Sequence, residues 1–198
     1  FREGIKLIEK YAKKGKILDL GCATGVFLDI AQKRGWKSYG VDISKYACNY
    51  AINNFKLNVK QCELKEIKFS KEEFDVVSMW DFIEHVPDPK EVLKETHRIL
   101  KSEGIIFILT TNEQSLMCWL AHIFYKLKIK FFSKLVHPYH HNYHFSEKTL
   151  RMYLEKFGFE IVYKGKDDMP IENIEQSFII RLIAKILYLF SRLTNTQH

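Results

Sequence analysis

The sequence predicts an α/β fold: a doubly wound, mostly parallel sheet with helices on both faces. Three observations predict it. Short apolar runs alternate with segments of helical spacing from residue 16 to residue 110. The first two runs end in turns that carry Gly or Asp, as buried parallel strands do. The composition, 46% hydrophobic and 28% charged over 198 residues, suits one globular α/β domain and excludes wholesale disorder.

Each element follows in order. Residues 3–13 read as a short helix. Lys16–Leu20 (KILDL) is an apolar run that ends in the turn GCATG. Val26–Arg34 places apolar residues at 26, 27, 30 and 31, which is helical spacing. Ser38–Val41 is a second strand, and Ser44 can cap a helix to about Asn53. A weak strand covers Asn58–Cys62, and Phe74–Trp80 (FDVVSMW) is a strong one. Asp88, Pro89 and Glu91 form a helix start, with Pro at the first helical position and an acid at the third. Val92, Thr96, Ile99 and Leu100 share its apolar face. Gly104 is expected to stop it before the strand Ile105–Thr110. Ser146 opens a helix through Lys156, Gly158 ends it, and Phe159–Tyr163 is a further strand. The predicted organisation is one domain over 1–198, with an inserted lid or substrate region at 115–145 and an amphipathic C-terminal helix at 176–194.

Composition also narrows the function. Cys22, Cys48, Cys62 and Cys118 form no C-x-x-C pair, so they suit a reducing cytoplasm as buried hydrophobes. No uncharged run of eighteen apolar residues and no signal cleavage pattern appears. The chain begins with Phe rather than Met and reads as trimmed. The net charge of +7 equals the seven cations of two acid-free apolar segments. These are Lys126, Lys128, Lys130 and Lys134 within 115–136, and Arg181, Lys185 and Arg192 within 176–194. The basic character is therefore local, which argues against a general nucleic-acid surface. Apolar faces bordered by positive charge suit an anionic membrane surface. They equally suit a substrate lid or a homodimer interface.

In open parallel sheets ligands bind at the carboxyl ends of the strands, near the switch point. Asp19-Leu20-Gly21-Cys22-Ala23-Thr24-Gly25 follows the first strand, and its small residues let backbone approach a ligand. Asp42 follows the second and can accept both hydroxyls of a ribose. Trp80-Asp81-Phe82-Ile83-Glu84-His85-Val86-Pro87-Asp88-Pro89 follows the fourth.

Taken together, ILDLGCATG, GVDIS, FDVVSMWDFIEHVPDP and HNYHFSEKTLRMYLEKFGFEIV resemble a class I S-adenosylmethionine-dependent methyltransferase, a Rossmann-like fold. The nearest subgroup resembles the small-molecule O-methyltransferases of quinone biosynthesis. The resemblance implies S-adenosylmethionine as cofactor, S-adenosylhomocysteine as product and a small, lipophilic acceptor. It implies that Gly21, Cys22, Ala23 and Gly25 line the methionine part, with Asp19 buttressing the loop. Asp42 would hold the ribose, with Ile43 beside it. Cys62 and Glu63 would border the adenine, and Trp80 and Asp81 would flank the reacting end. Ala23 departs from the Gly usual there, and Cys62 from the common acid. The antiparallel strand that usually ends such a sheet is expected at Ile171–Ile174 or beyond His198.

Methyl transfer to a neutral oxygen needs a proton acceptor, and His85 on the loop leaving the fourth strand is the candidate. Its competing reading is a histidine that caps turn backbone. Glu84 suits a structural role or a neighbour of the cofactor amine. His137, His140, His141 and His144 have offsets like those of a metal-binding helix face. Pro138 and Asn142 interrupt that face, so no metal is assigned. His141, Tyr143 and His144 are instead expected in a substrate-region loop.

Two other functions compete. A non-catalytic module binding S-adenosylmethionine or a nucleotide would keep the same loop. An NAD(P)-dependent dehydrogenase would need G-x-G-x-x-G, and here Ala23 and Val26 break that pattern. Base methylation of nucleic acid is disfavoured, because Trp80-Asp81-Phe82-Ile83 stands where amino-methyltransferases carry an Asn/Asp-Pro-Pro-aromatic block.

Overall fold

Five parallel strands in the order β3-β2-β1-β4-β5 form the sheet of the computed structural model. It describes residues 1–66, 68–114, 123, 126 and 141–165. The chain divides into two compact units, Phe1–Asn112 with His140–Glu160 and Glu113–Tyr139 with Ile161–His198. The sheet belongs to the first. Cys118, His137, His140, Ile171–Ile174 and the segment 176–194 lie outside the described residues, as does 115–136 apart from 123 and 126. Among the described residues, no helix is long and apolar enough to cross a membrane.

Helix α1 (Arg2–Tyr11) buries Ile5 and Ile8, three residues apart on one face. Strand β1 (Lys16–Leu20) lies between β2 (Lys37–Asp42) and β4 (Phe74–Trp80). Its alternation divides the core: Ile17 joins α1 and α2 (Val26–Lys33), whereas Leu18 and Leu20 pack with Val77, Met79 and Leu93. Helix α3 (Lys45–Phe55) leads to β3 (Asn58–Gln61). As expected, Ser44 caps α3, its Oγ accepting the Ala47 N–H at 3.3 Å.

Right-handed crossovers explain the two faces. The β1–β2–β3 crossovers run one way along the sheet and place α2 and α3 on one face. The chain then returns to β4 and continues outward, so α4 (Pro89–Ile99) covers the opposite face. The direction reverses between β1 and β4, and the site forms at that switch point.

Two strand expectations need correction. Gly104 does not stop α4; the helix ends at Ile99 and β5 runs Leu100–Leu109. The Arg98 and Ile99 carbonyls accept the Glu72 and Glu73 N–H groups at 3.0 and 2.8 Å. This satisfies the helix end without a glycine. Leu100 then pairs with Phe74 and Ile105 with Val76, so the intervening residues, Gly104 included, form a bulge. Phe159–Tyr163 forms no strand. Its alternation reflects one packed side: Phe159 meets the His97 ring at 5.4 Å, and alternation alone supplies no ladder partner. Helix α5 (Glu147–Lys156) starts in a capping box of Ser146 and Thr149.

Candidate active site

The turn after β1 is shaped by backbone conformation. Gly21 and Gly25 have φ of 74° and 79°, in the left-handed region that glycine enters freely. Their N–H groups fold the turn: Gly21 and Cys22 donate to the Val41 carbonyl at 2.8 and 3.1 Å, and Gly25 donates to Cys22 at 2.9 Å. A Cβ on Gly21 would fall 2.5 Å from Cδ2 of Phe82, so the aromatic ring of the β4–α4 loop closes directly on the turn. Ala23 adopts φ 45° without being glycine.

Asp42, at the end of β2, holds that turn. One carboxylate oxygen accepts the Ala23 N–H and the other the Ser44 N–H, both at 2.8 Å. Its carbonyl accepts the Cys62 N–H at 3.1 Å and the Cys48 thiol at 3.5 Å. The ends of β1, β2 and β3 and the start of α3 thus converge on one aspartate. A carboxylate offers about four acceptor positions, so two remain for a ligand.

Asp19 lies beneath the turn, 2% exposed. Ser78, its register partner on β4, donates to it at 2.7 Å. Burial is the main cause that pushes its pKa up to about 8, and the Asp42 charge adds to it against the Ser78 bond. Burial likewise pushes up the thiols of Cys22, Cys48 and Cys62, which fits inert cysteines. Ile43 is 73% exposed beside Asp42, and Glu63 is exposed in an ion pair with Lys65 at 2.7 Å.

The residues after β4 go two ways. Trp80 does not stand in the mouth of the turn. Its indole packs on Phe1, Phe27 and Phe107 at 4.6–4.9 Å between centroids, with Nε1 buried and without a hydrogen-bond partner among the described residues. Asp81 is left-handed (φ 46°), and its N–H donates to the Leu109 carbonyl at 2.9 Å. Burial, then the Glu84 charge, raise its carboxyl above the ordinary range, while His85 lowers it.

Glu84 is fully buried, and neither carboxylate oxygen has a hydrogen-bond partner among the described residues. The His85 N–H donates to the Phe82 carbonyl at 3.0 Å, closing a turn. The segment after residue 140 docks on this loop. Asn142 and Tyr143 donate their N–H groups to the Glu84 carbonyl at 2.8 and 3.0 Å. The His85 and His141 rings meet edge to face at 4.6 Å, and His141 lies 6.1 Å from His144. Ligand atoms of Glu84, His85 and His141 all lie within 4.8 Å of one another, close enough to share one cation.

Sequence reasoning missed Ser78, Phe82 and Asn142. Ser78 was findable, because pairing β1 with β4 in register puts it opposite Asp19. Phe82 and Asn142 carry no motif that announces their contacts.

Comparison with known proteins agrees with this fold. A family described as "Methyltransferase domain" matches residues 1–164. Ubiquinone biosynthesis O-methyltransferase of Idiomarina loihiensis is 34% identical over 114 residues, 54% of this chain and 46% of its own. That of Pelagibacter ubique is 33% identical over 113 residues, 55% of this chain and 47% of its own. The chain thus spans about half the length of these curated relatives. A SAM-dependent methyltransferase structure from Thermotoga maritima, described as a possible histamine N-methyltransferase, superposes with a TM-score of 0.62. It is 25% identical, over 80% of this chain and 70% of that one. With the family matching most of its length and a parallel sheet that gathers a glycine turn and Asp42 at its switch point, the chain belongs to the methyltransferase-domain family.

Proposed function

We propose that the chain binds S-adenosylmethionine and transfers its methyl group to an oxygen of a small, lipophilic acceptor. The observation that carries this reading is Asp42, whose carboxylate ties the glycine turn to α3 and keeps acceptor positions for a ribose. The donor chemistry fits the cofactor: Gly21, Cys22, Ala23 and Gly25 offer close backbone approach, and the start of α2 offers a positive dipole end. Ile43 would lie beside the ribose, and Cys62 and Glu63 would border the adenine. Asp19 would support the turn from below, and Asp81 would stand at the reacting end. The names of the O-methyltransferase relatives favour oxygen over nitrogen.

Bound S-adenosylmethionine supplies an electrophilic methyl group on a sulfonium. An acceptor oxygen would take that methyl group as its C–S bond breaks, and the electron pair would stay on sulfur to leave S-adenosylhomocysteine. The protein aligns the acceptor and excludes water. His85 takes the proton of the acceptor hydroxyl, with His141, Tyr143 and His144 on the substrate side. A lipophilic acceptor, met at an anionic membrane surface from the cytoplasm, would account for the basic apolar segments 115–136 and 176–194. Failure to sediment with anionic vesicles at low salt would remove that part of the reading.

Thermal unfolding with S-adenosylhomocysteine tests the core of it. At 100-fold above the dissociation constant the ligand stabilises by about 2.7 kcal/mol, a shift of roughly 5–10 °C. Asp42→Ala should abolish the shift. A shift with NAD instead, or none with S-adenosylhomocysteine, overturns the proposal.

A further inference from the structure

We infer that Asn142 is a positioning residue for the His85–His141 pair. The inference rests on the assignment of His85 as proton acceptor, and it identifies what holds His85 in place.

His85 follows a tight turn closed by its own N–H to Phe82 and precedes Pro87, which has no N–H to offer. The carbonyls of Glu84, His85 and Pro87 therefore look elsewhere for donors. All three find them in one dipeptide, Asn142-Tyr143, 56 or more residues further on. The Glu84 carbonyl takes the N–H groups of Asn142 and Tyr143 at 2.8 and 3.0 Å. The His85 carbonyl takes the Asn142 side-chain amide at 2.7 Å. The Pro87 carbonyl takes the Tyr143 hydroxyl at 3.1 Å.

Among these donors the Asn142 amide is the side chain bonded to His85 itself. It is also adjacent in sequence to His141, whose ring stands edge to face against that of His85 at 4.6 Å. One residue therefore fixes the backbone under one imidazole and the backbone that delivers the other. The backbone bond of Asn142 survives any substitution except proline, so the amide can be removed without undocking the segment. Asn142 is exposed, which limits the packing lost on truncation. Asn is the residue type this geometry needs, because a short planar amide reaches a carbonyl while its own main chain is already engaged.

The experiment is solution NMR of the full chain with Asn142→Ala and Asn142→Gln, alongside calorimetry with S-adenosylhomocysteine and methyl transfer to catechol as acceptor probe. In the wild type the two rings should show a nuclear Overhauser contact. In Asn142→Ala that contact should disappear, turnover should fall at least tenfold, and the S-adenosylhomocysteine dissociation constant should stay within twofold. Asn142→Gln, which keeps an amide N–H, should restore part of the contact. Persistence of the contact in Asn142→Ala, or turnover within twofold of an active wild type, overturns the inference. A fall in cofactor affinity equal to the fall in turnover also overturns it, because that is a general structural defect. Failure of the wild type to bind S-adenosylhomocysteine or to methylate catechol counts against the proposed reaction instead, and the ring contact then decides this inference alone.

Discussion

Ala23 donates its N–H to the Asp42 carboxylate at 2.8 Å while holding a left-handed backbone, φ 45°. An L-residue with a Cβ pays roughly 1–2 kcal/mol for that conformation. Asp42 helps to impose it, since the bond forms only when the turn presents this N–H toward β2. Strain and site are thus one feature. Ala23→Gly removes the Cβ penalty and restores some unfolded-chain entropy. The net expectation is a gain of about 0.5–1 kcal/mol, or roughly 1–4 °C in Tm for a chain of this length. Differential scanning calorimetry without ligand checks it; a lower Tm would show that the methyl group is packed rather than strained.

Asp42→Asn separates charge from shape. Asparagine keeps one acceptor but turns an amide N–H₂ toward either the Ala23 or the Ser44 N–H. One backbone donor then exchanges its carboxylate partner for water, at a cost of about 0.5–1.5 kcal/mol. The acceptor positions assigned to the ribose also weaken. Isothermal titration should show S-adenosylhomocysteine affinity down tenfold or more. Unchanged affinity would mean that the ribose is held elsewhere.

The parts of this site that were legible in the sequence are those with a local signature. Asp42 is readable because a short apolar run ends there, and in a parallel sheet the next residue faces the ligand side. Ser44 and Asp88 are readable because capping has residue preferences; both cap as expected, Asp88 accepting the Lys90 N–H at 2.9 Å. The Asn142 docking is not readable, because its acceptors are main-chain carbonyls, which every residue type possesses. Gly104 misleads for the opposite reason. Glycine marks both helix ends and bulges, and here the helix end is satisfied by Glu72 and Glu73 from the loop before β4. Trp80 misleads because period-two alternation says which face it takes but not that α1 covers that face.

Asp19 gives a pH signature. Its folded-state pKa of about 8 lies above the ordinary 3.8. Between those values the unfolded chain has released this proton and the folded chain retains it. The contribution of Asp19 to stability is therefore complete below about pH 4 and is lost as pH rises toward 8. Asp19→Asn removes the titration while keeping a side chain that can accept from Ser78. Urea denaturation at pH 5, 6.5 and 8 should show the variant gaining on the wild type as pH rises, by an amount on the order of 1 kcal/mol per pH unit at most. A difference independent of pH would mean that Asp19 is ionised in the folded protein.

Gly21 and Phe82 offer a test in which two costs can be separated. Gly21→Ala meets two obstacles: a left-handed backbone at φ 74°, and the Phe82 ring, whose Cδ2 would stand 2.5 Å from the new Cβ. The first is a property of the turn and persists whatever lies opposite, at about 1 kcal/mol. The second is a property of the pair, and the ring can escape only by moving the β4–α4 loop that carries Glu84 and His85. Phe82→Ala opens the space but leaves the backbone cost. Unfolding of both single variants and the double variant should therefore be non-additive, with the double variant more stable than the sum of the single losses by 0.5–3 kcal/mol, the range usual for residues in contact. The His85 resonances should move in Gly21→Ala and return toward the wild type in the double variant. Strict additivity would show that the Phe82 ring yields freely, and that the glycine turn and the His85 loop are not mechanically coupled through it.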